Sequence, residues 1–148
     1  MLNTKLYKSV HTLAEQLVEA ADKADRETFD ALYTELKAIC IENENTEKDH
    51  PVQWETLADF TDEVDDAIAI YEKALGKAEA INEKDYMASI AYSIATLQLE
   101  LGENKKAIKY LEEAKTNANK SEDLELKADI DKLLVSAVSH ADSQDNEG

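Results

Sequence analysis

The sequence predicts an all-α protein made of short helix hairpins, and three observations carry that prediction. Chain breakers are scarce, with three glycines and one proline in 148 residues, while Ala, Leu, Ile, Glu and Lys dominate, as in packed helices. Apolar residues recur at helical spacing in seven segments separated by short polar breaks. Two of those segments also repeat each other at a fixed offset.

The first segment carries Leu6, Val10, Leu13, Leu17 and Ala20, and Asp22 to Asp25 end it. The second holds Phe29, Leu32, Tyr33, Leu36 and Ile39 on one stripe, then gives way to the polar run "ENENTEKDHP". Its proline cannot continue a helix but can open the next one at its first turn. A short third segment around Trp54, Leu57, Ala58 and Phe60 ends near Thr61 and Asp62. The fourth runs through Val64, Ala67, Ile68, Tyr71, Ala74, Leu75 and Ala78, with Asp62 and Asp65 expected to cap its start. Asn82 is the expected cap of the fifth, which uses Met87, Ile90, Ala91, Ile94, Leu97 and Leu101. Gly102 then stops it, because glycine takes the left-handed conformation of a helix C-terminus without Cβ strain. The sixth contains Ala107, Ile108, Leu111, Ala114 and Ala118, and the seventh, after Ser121, Leu126, Ile130, Leu133, Leu134, Ala137 and Val138. Residues 141–148 have no apolar anchor and are expected to form a disordered acidic tail.

"AIAIYEKALGKA" (67–78) laid over "AIKYLEEAKTNA" (107–118) pairs Ala67 with Ala107, Ile68 with Ile108, Ala74 with Ala114 and Ala78 with Ala118. The offset is 107 − 67 = 40. "FDALYTELKAIC" (29–40) is a weaker echo, with Phe29, Tyr33 and Leu36 in the roles of Ala67, Tyr71 and Ala74. Small residues at such spacing let a neighbouring helix backbone come close, and larger ones fill the groove opposite.

These residues resemble the tetratricopeptide repeat family: Ile94, Ala95, Leu101, Gly102, Ala107, Leu111 and Ala114 in the clearest unit, and Trp54, Ala67, Tyr71 and Ala74 in the unit before. The resemblance covers about residues 50 to 119 and extends weakly to 3–43. It departs from the family in its longer spacing, in Asp62 where glycine is expected, and in the lack of a closing proline after Ala78 and Ala118. The resemblance implies a right-handed superhelical stack of antiparallel hairpins, a TPR-like α-solenoid. A single domain over 1–140 would hold hairpins at about 3–43, 51–81 and 84–119 and a capping helix at 121–140.

The formal net charge of −17, with Arg26 the only arginine, repels a phosphate backbone and makes direct nucleic-acid binding unexpected. "NKKAIK" (104–109) reads as the solvated edge of a helix. One cysteine, Cys40, allows no internal disulfide and fits a reducing compartment. The N-terminus lacks a signal-peptide pattern and no stretch is apolar enough for a membrane span, so a cytoplasmic, membrane-free protein is expected. Gly76, Gly102 and Gly148 stand far apart, which leaves no phosphate loop. Neither His11, His50 nor His140 has a His or Cys partner at ligand spacing, and all three are expected at the surface, His50 in a loop. Cys40, beside Ile39 and Ile41, reads as a core thiol, and "DFTDEVDD" (59–66) lacks the ligand alternation of a calcium loop. No enzyme activity and no cofactor or metal are expected.

In the resembled family the first helix of each hairpin lines a concave groove. Carried to this chain, the groove would present Gln53, Thr56, Asp59 and Phe60, then Tyr92, Ser93, Thr96 and Glu100; the first hairpin would offer His11, Ala14, Glu15 and Val18. The lysine and asparagine clamp by which family members grip carboxylate tails is missing, because Tyr92 and Thr96 stand there with acids nearby. Such a groove suits a basic or amphipathic peptide segment of another protein. The expected function is therefore a protein-protein interaction module, a small acidic adaptor or chaperone. The alternative is an acidic inhibitor that mimics nucleic acid and blocks a basic protein cleft. An imperfectly capped stack could also pair end to end as a homodimer.

Overall fold

In a computed structural model, the backbone is described over residues 3–147 and side chains over 3–141. Among the described residues all regular structure is helical, in seven helices: α1 (Thr4–Asp22), α2 (Arg26–Asn43), α3 (Pro51–Asp59), α4 (Val64–Ala80), α5 (Lys84–Glu100), α6 (Asn104–Ala118) and α7 (Leu124–Glu147). The contacts gather in two compact units, 1–74 and 75–148, divided within α4.

In the first unit α1, α2 and α3 pack on one another. Their core is Val10, Leu13, Leu17 and Ala20 from α1, Phe29, Leu36 and Cys40 from α2, and Trp54, Leu57 and Ala58 from α3. Local chemistry sets where each helix starts. Asn3 Oδ1 accepts from the Leu6 amide at 2.9 Å, and Asp25 Oδ1 from the Thr28 amide at 3.1 Å. Pro51 opens α3 at its first turn, as its missing N–H permits. His50 is the cap ahead of it, its Nδ1 accepting from the Val52 amide at 3.1 Å. His50 is therefore buried rather than displayed in the loop, a correction to the sequence expectation.

The second unit packs α5 on α6, α6 on α7 and α5 on α7. Ala88 and Ala91 of α5 meet Ala114 and Ala118 of α6 and Ile130 of α7 in one cluster; Ala95, Ala107, Leu111 and Ala137 form the next. Alanine on both sides lets the helix axes approach closely, and Tyr92 and Tyr110 fill in beside both clusters.

Three connections close in the same way. The backbone is left-handed at Ala24 (φ 53°), Asn82 (φ 55°) and Gly102 (φ 76°). The next amide in each case reaches back five residues: Asp25 to the Ala20 carbonyl (2.9 Å), Glu83 to Ala78 (3.1 Å) and Glu103 to Gln98 (2.9 Å). This is the Schellman closure, which satisfies carbonyls that the end of a helix leaves open. Gly102 thus does what the sequence reading assigns it. Asn82, expected to cap the start of α5, instead closes the end of α4. Asp62 is likewise not at the start of α4; its carboxylate pairs with Arg26 Nη2 at 2.7 Å, while Asp65 and Asp66 occupy the first turn.

The internal repeat has a structural counterpart. From 67–78 to 107–118, eleven of twelve paired positions share the same burial, the exception being buried Leu75 against exposed Lys115. Residues 29–40 match 107–118 at ten of twelve. Phe29, Leu36 and Cys40 are buried where Ala107, Ala114 and Ala118 are. Helices α2, α4 and α6 thus share one pattern of buried positions, with bulk in α2 traded for alanine in α4 and α6.

The seventh helix runs further than expected, its backbone helical to Glu147 through most of the segment read as a tail, with Gly148 outside the described residues. Extending an established helix fixes one residue per hydrogen bond gained, so polar residues can follow an anchored helix that they could not start.

Candidate binding surfaces

Each residue assigned to the groove has a definite place within its own unit. On α3, Gln53 is only 1% exposed and lines no surface. Its Nε2 donates to the Lys48 carbonyl at 2.7 Å, and its own carbonyl accepts the Cys40 thiol at 3.3 Å, so it ties the 44–50 connection to α2. Its assignment as a contact residue is corrected for that reason. Thr56 is half-buried and donates its hydroxyl to the Val52 carbonyl at 2.6 Å. Phe60, half-buried, meets Phe29 edge-on with ring centroids 6.3 Å apart.

Asp59 differs from these. It is exposed, yet it accepts a hydrogen bond from the Tyr71 hydroxyl. Protein crowding the carboxyl raises its pKa above the ordinary carboxylate value, and the Tyr71 bond, which favours the ionised form, lowers it by less. The carboxyl is thus crowded by protein on one side while the residue stays accessible from outside, a combination that suits a lysine or arginine from a partner.

On α5, Tyr92, Ser93 and Thr96 are half-buried and Glu100 is exposed. The Ser93 hydroxyl donates to the Ser89 carbonyl (3.1 Å) and the Thr96 hydroxyl to the Tyr92 carbonyl (3.0 Å). Both donors are spent on the helix, leaving their oxygens as acceptors only. The ring of Tyr92 packs against both alanine-rich clusters, so part of it belongs to the core. On α1, His11 Nε2 meets Glu15 Oε1 at 2.8 Å and stacks on Tyr7, while Ala14 is half-buried and Val18 exposed.

Cys40, Arg26 and Lys73 are engaged in contacts within the first unit. Cys40 is enclosed, and burial, reinforced by the neighbouring Asp49 carboxylate, pushes its thiol up to about 12. Arg26 is held by Asp30 (2.8 Å) and Asp62 (2.7 Å) with its guanidinium 4.8 Å from the Phe29 ring centroid. Lys73 pairs with Glu44 and lies 4.3 Å from the Trp54 ring centroid. Trp54 in turn donates its indole N–H to Asp49 at 2.8 Å. These contacts clasp the 44–50 connection, and sequence reasoning missed them because a polar clasp has no periodic signature.

Among the described residues no three or more His, Cys, Asp or Glu are placed to hold a metal ion, and no helix is long and apolar enough to cross a membrane. No protein-family model matches the chain, and no curated protein or solved structure matches it either.

Proposed function

We propose that this chain is a protein-protein interaction module, a TPR-like adaptor or chaperone that holds a basic or amphipathic segment of another protein. The observation that carries the reading is the burial register shared by 29–40, 67–78 and 107–118. Repeats of this kind stack on their neighbours through equivalent faces and leave a concave surface free. The reading includes a right-handed superhelical stack of the three hairpins, supported by the offset of 40 and by the small residues at equivalent positions. Its contact residues are Thr56 and Asp59 on α3, Phe60 at its C-cap, and Tyr92, Ser93, Thr96 and Glu100 on α5. The crowded, accessible Asp59 and exposed Glu100 give the charge preference, since acids beside half-buried rings favour a partner that brings both a cation and an apolar surface.

Capture from native lysate on the immobilised full chain, followed by mass spectrometry, tests the reading when paired with a double substitution. Tyr92→Phe keeps the packed ring and removes only its hydroxyl, and Glu100→Lys reverses an exposed charge. The double variant should keep its helical circular dichroism and lose most of the captured protein. Equal capture by both proteins sinks the groove.

A further inference from the structure

The second unit carries another concave surface, on a different side of α5. A cavity of about 420 Å³ has Leu75 of α4 and Met87 and Ala91 of α5 as its apolar floor. Glu79 from the last turn of α4 and Glu112 and Glu113 from α6 rim it, with Lys109 as the single basic residue among its lining. At about 100° of rotation per residue, Met87 and Ala91 lie at least about 100° around α5 from Tyr92, Ser93, Thr96 and Glu100. This surface is therefore separate from the proposed groove.

Two features make it a site for a cation with an apolar stem. The first is electrostatic. Glu79, in the last turn of α4, sits at the negative end of that helix's dipole, and Thr116 and Asn117, also in the lining, stand in the last turn of α6. Three carboxylates and two helix C-termini gather around the apolar floor, offset in part by Lys109 in the lining and by Lys77 and Lys115 in the same last turns, so the rim favours a positive group.

The second is Gly76. It lies in the interior of α4, next to Leu75 and one turn before Glu79, and a Cβ there would meet nothing within 4 Å. A glycine in a helix interior costs roughly 0.5–1 kcal/mol relative to alanine. Nothing inside the protein requires the bare backbone. A partner chain crossing α4 beside the cavity would.

We propose that this cavity seats a basic amphipathic segment of a partner protein. The aliphatic stem of one lysine or arginine lies on Leu75, Met87 and Ala91, its charge sits among Glu79, Glu112 and Glu113, and the segment's backbone passes over Gly76. The assignment stands independently of the α3 and α5 groove.

The test uses the full-length 15N-labelled chain titrated at low salt with a short acetylated peptide amide of alternating lysine and leucine. The same peptide with glutamate for lysine is the control. Amide shifts should centre on Gly76, Glu79, Met87, Glu113 and Asn117, and the glutamate peptide should produce none. A triple variant, Glu79→Gln, Glu112→Gln and Glu113→Gln, should bind about tenfold more weakly, because rim charges act mainly through screened attraction. Gly76→Ala should raise the melting temperature and weaken binding together. Shifts centred instead on Tyr92, Thr96 and Glu100 would overturn the cavity while supporting the groove. Undiminished affinity in the triple variant, or in Gly76→Ala, overturns the assignment as well.

Discussion

Ala24 occupies a backbone conformation that suits it badly. Its left-handed φ of 53° is shared with Asn82 and Gly102, residue types that tolerate it, but an alanine there holds its Cβ against the following carbonyl at a cost of roughly 1–2 kcal/mol. Ala24→Gly should therefore stabilise the protein by about 1 kcal/mol, and Gly102→Ala, at the equivalent point of the α5–α6 connection, should cost about 1 kcal/mol. Urea midpoints read both, and opposite signs at two alanine/glycine exchanges are hard to produce by any cause other than the turn. Cys40 makes a second residue-scale prediction. Its folded pKa of about 12 lies above the ordinary 9.0, so the unfolded chain ionises first as pH rises. Its contribution to stability is whole below about pH 9 and is lost progressively between about 9 and 12, with a slope of up to about 1.4 kcal/mol per pH unit. The difference between wild type and Cys40→Ala across that range isolates it from other titrations, and the native thiol should resist alkylation at neutral pH until the protein unfolds.

At the scale of elements, α3 shows how much a short helix depends on its ends. Nine residues long, it is below the length at which a helix holds in isolation. Replacing His50 by alanine should cost about 1–2 kcal/mol by freeing the Val52 amide, whereas His50→Asn, which restores a strong capping side chain, should recover much of that in chemical denaturation. This element also marks the limit of what the sequence disclosed. Helix periodicity announced all seven helices, and the alanines of α4 and α6 announced their equivalence, because both are repeated patterns. The equivalence of α2 was faint, since Phe29, Leu36 and Cys40 fill with bulk the places where Ala107, Ala114 and Ala118 allow close approach. The clasp of Cys40, Lys48 and Gln53 was illegible, because each contact is a single polar bond across a connection. Gln53 is therefore expected to face outward from the family resemblance, whereas its side chain is spent inside. Position alone places Asp59 on the surface; the hydrogen bond it accepts from the Tyr71 hydroxyl, 12 residues on in sequence, is a tertiary contact that no sequence pattern marks.

For the whole molecule, charge is the dominant global term. The chain carries 33 acidic against 16 basic residues, so even complete pairing would leave 33 − 16 = 17 carboxylates without a cation. The ion pairs at hand are mostly on exposed surface: Lys23 with Glu19, Lys106 with Glu103, and Lys115 with Asp131. Such pairs contribute at most a fraction of a kcal/mol each. Repulsion among the unpaired carboxylates acts on the compact state more strongly than on the expanded chain. Raising salt from about 10 to about 150 mM shortens the screening length from roughly 30 to 8 Å, which weakens that repulsion more than it weakens close pairs. The melting temperature should therefore rise by several degrees over this range at pH 7, and the rise should shrink as pH falls toward the isoelectric point near 4.4, where the net charge disappears. Scanning calorimetry at two pH values and several salt concentrations measures both trends. A melting temperature that falls with salt at pH 7 would mean that the surface pairs, rather than the excess of acid, govern stability, and would remove the electrostatic reason for expecting a cationic partner.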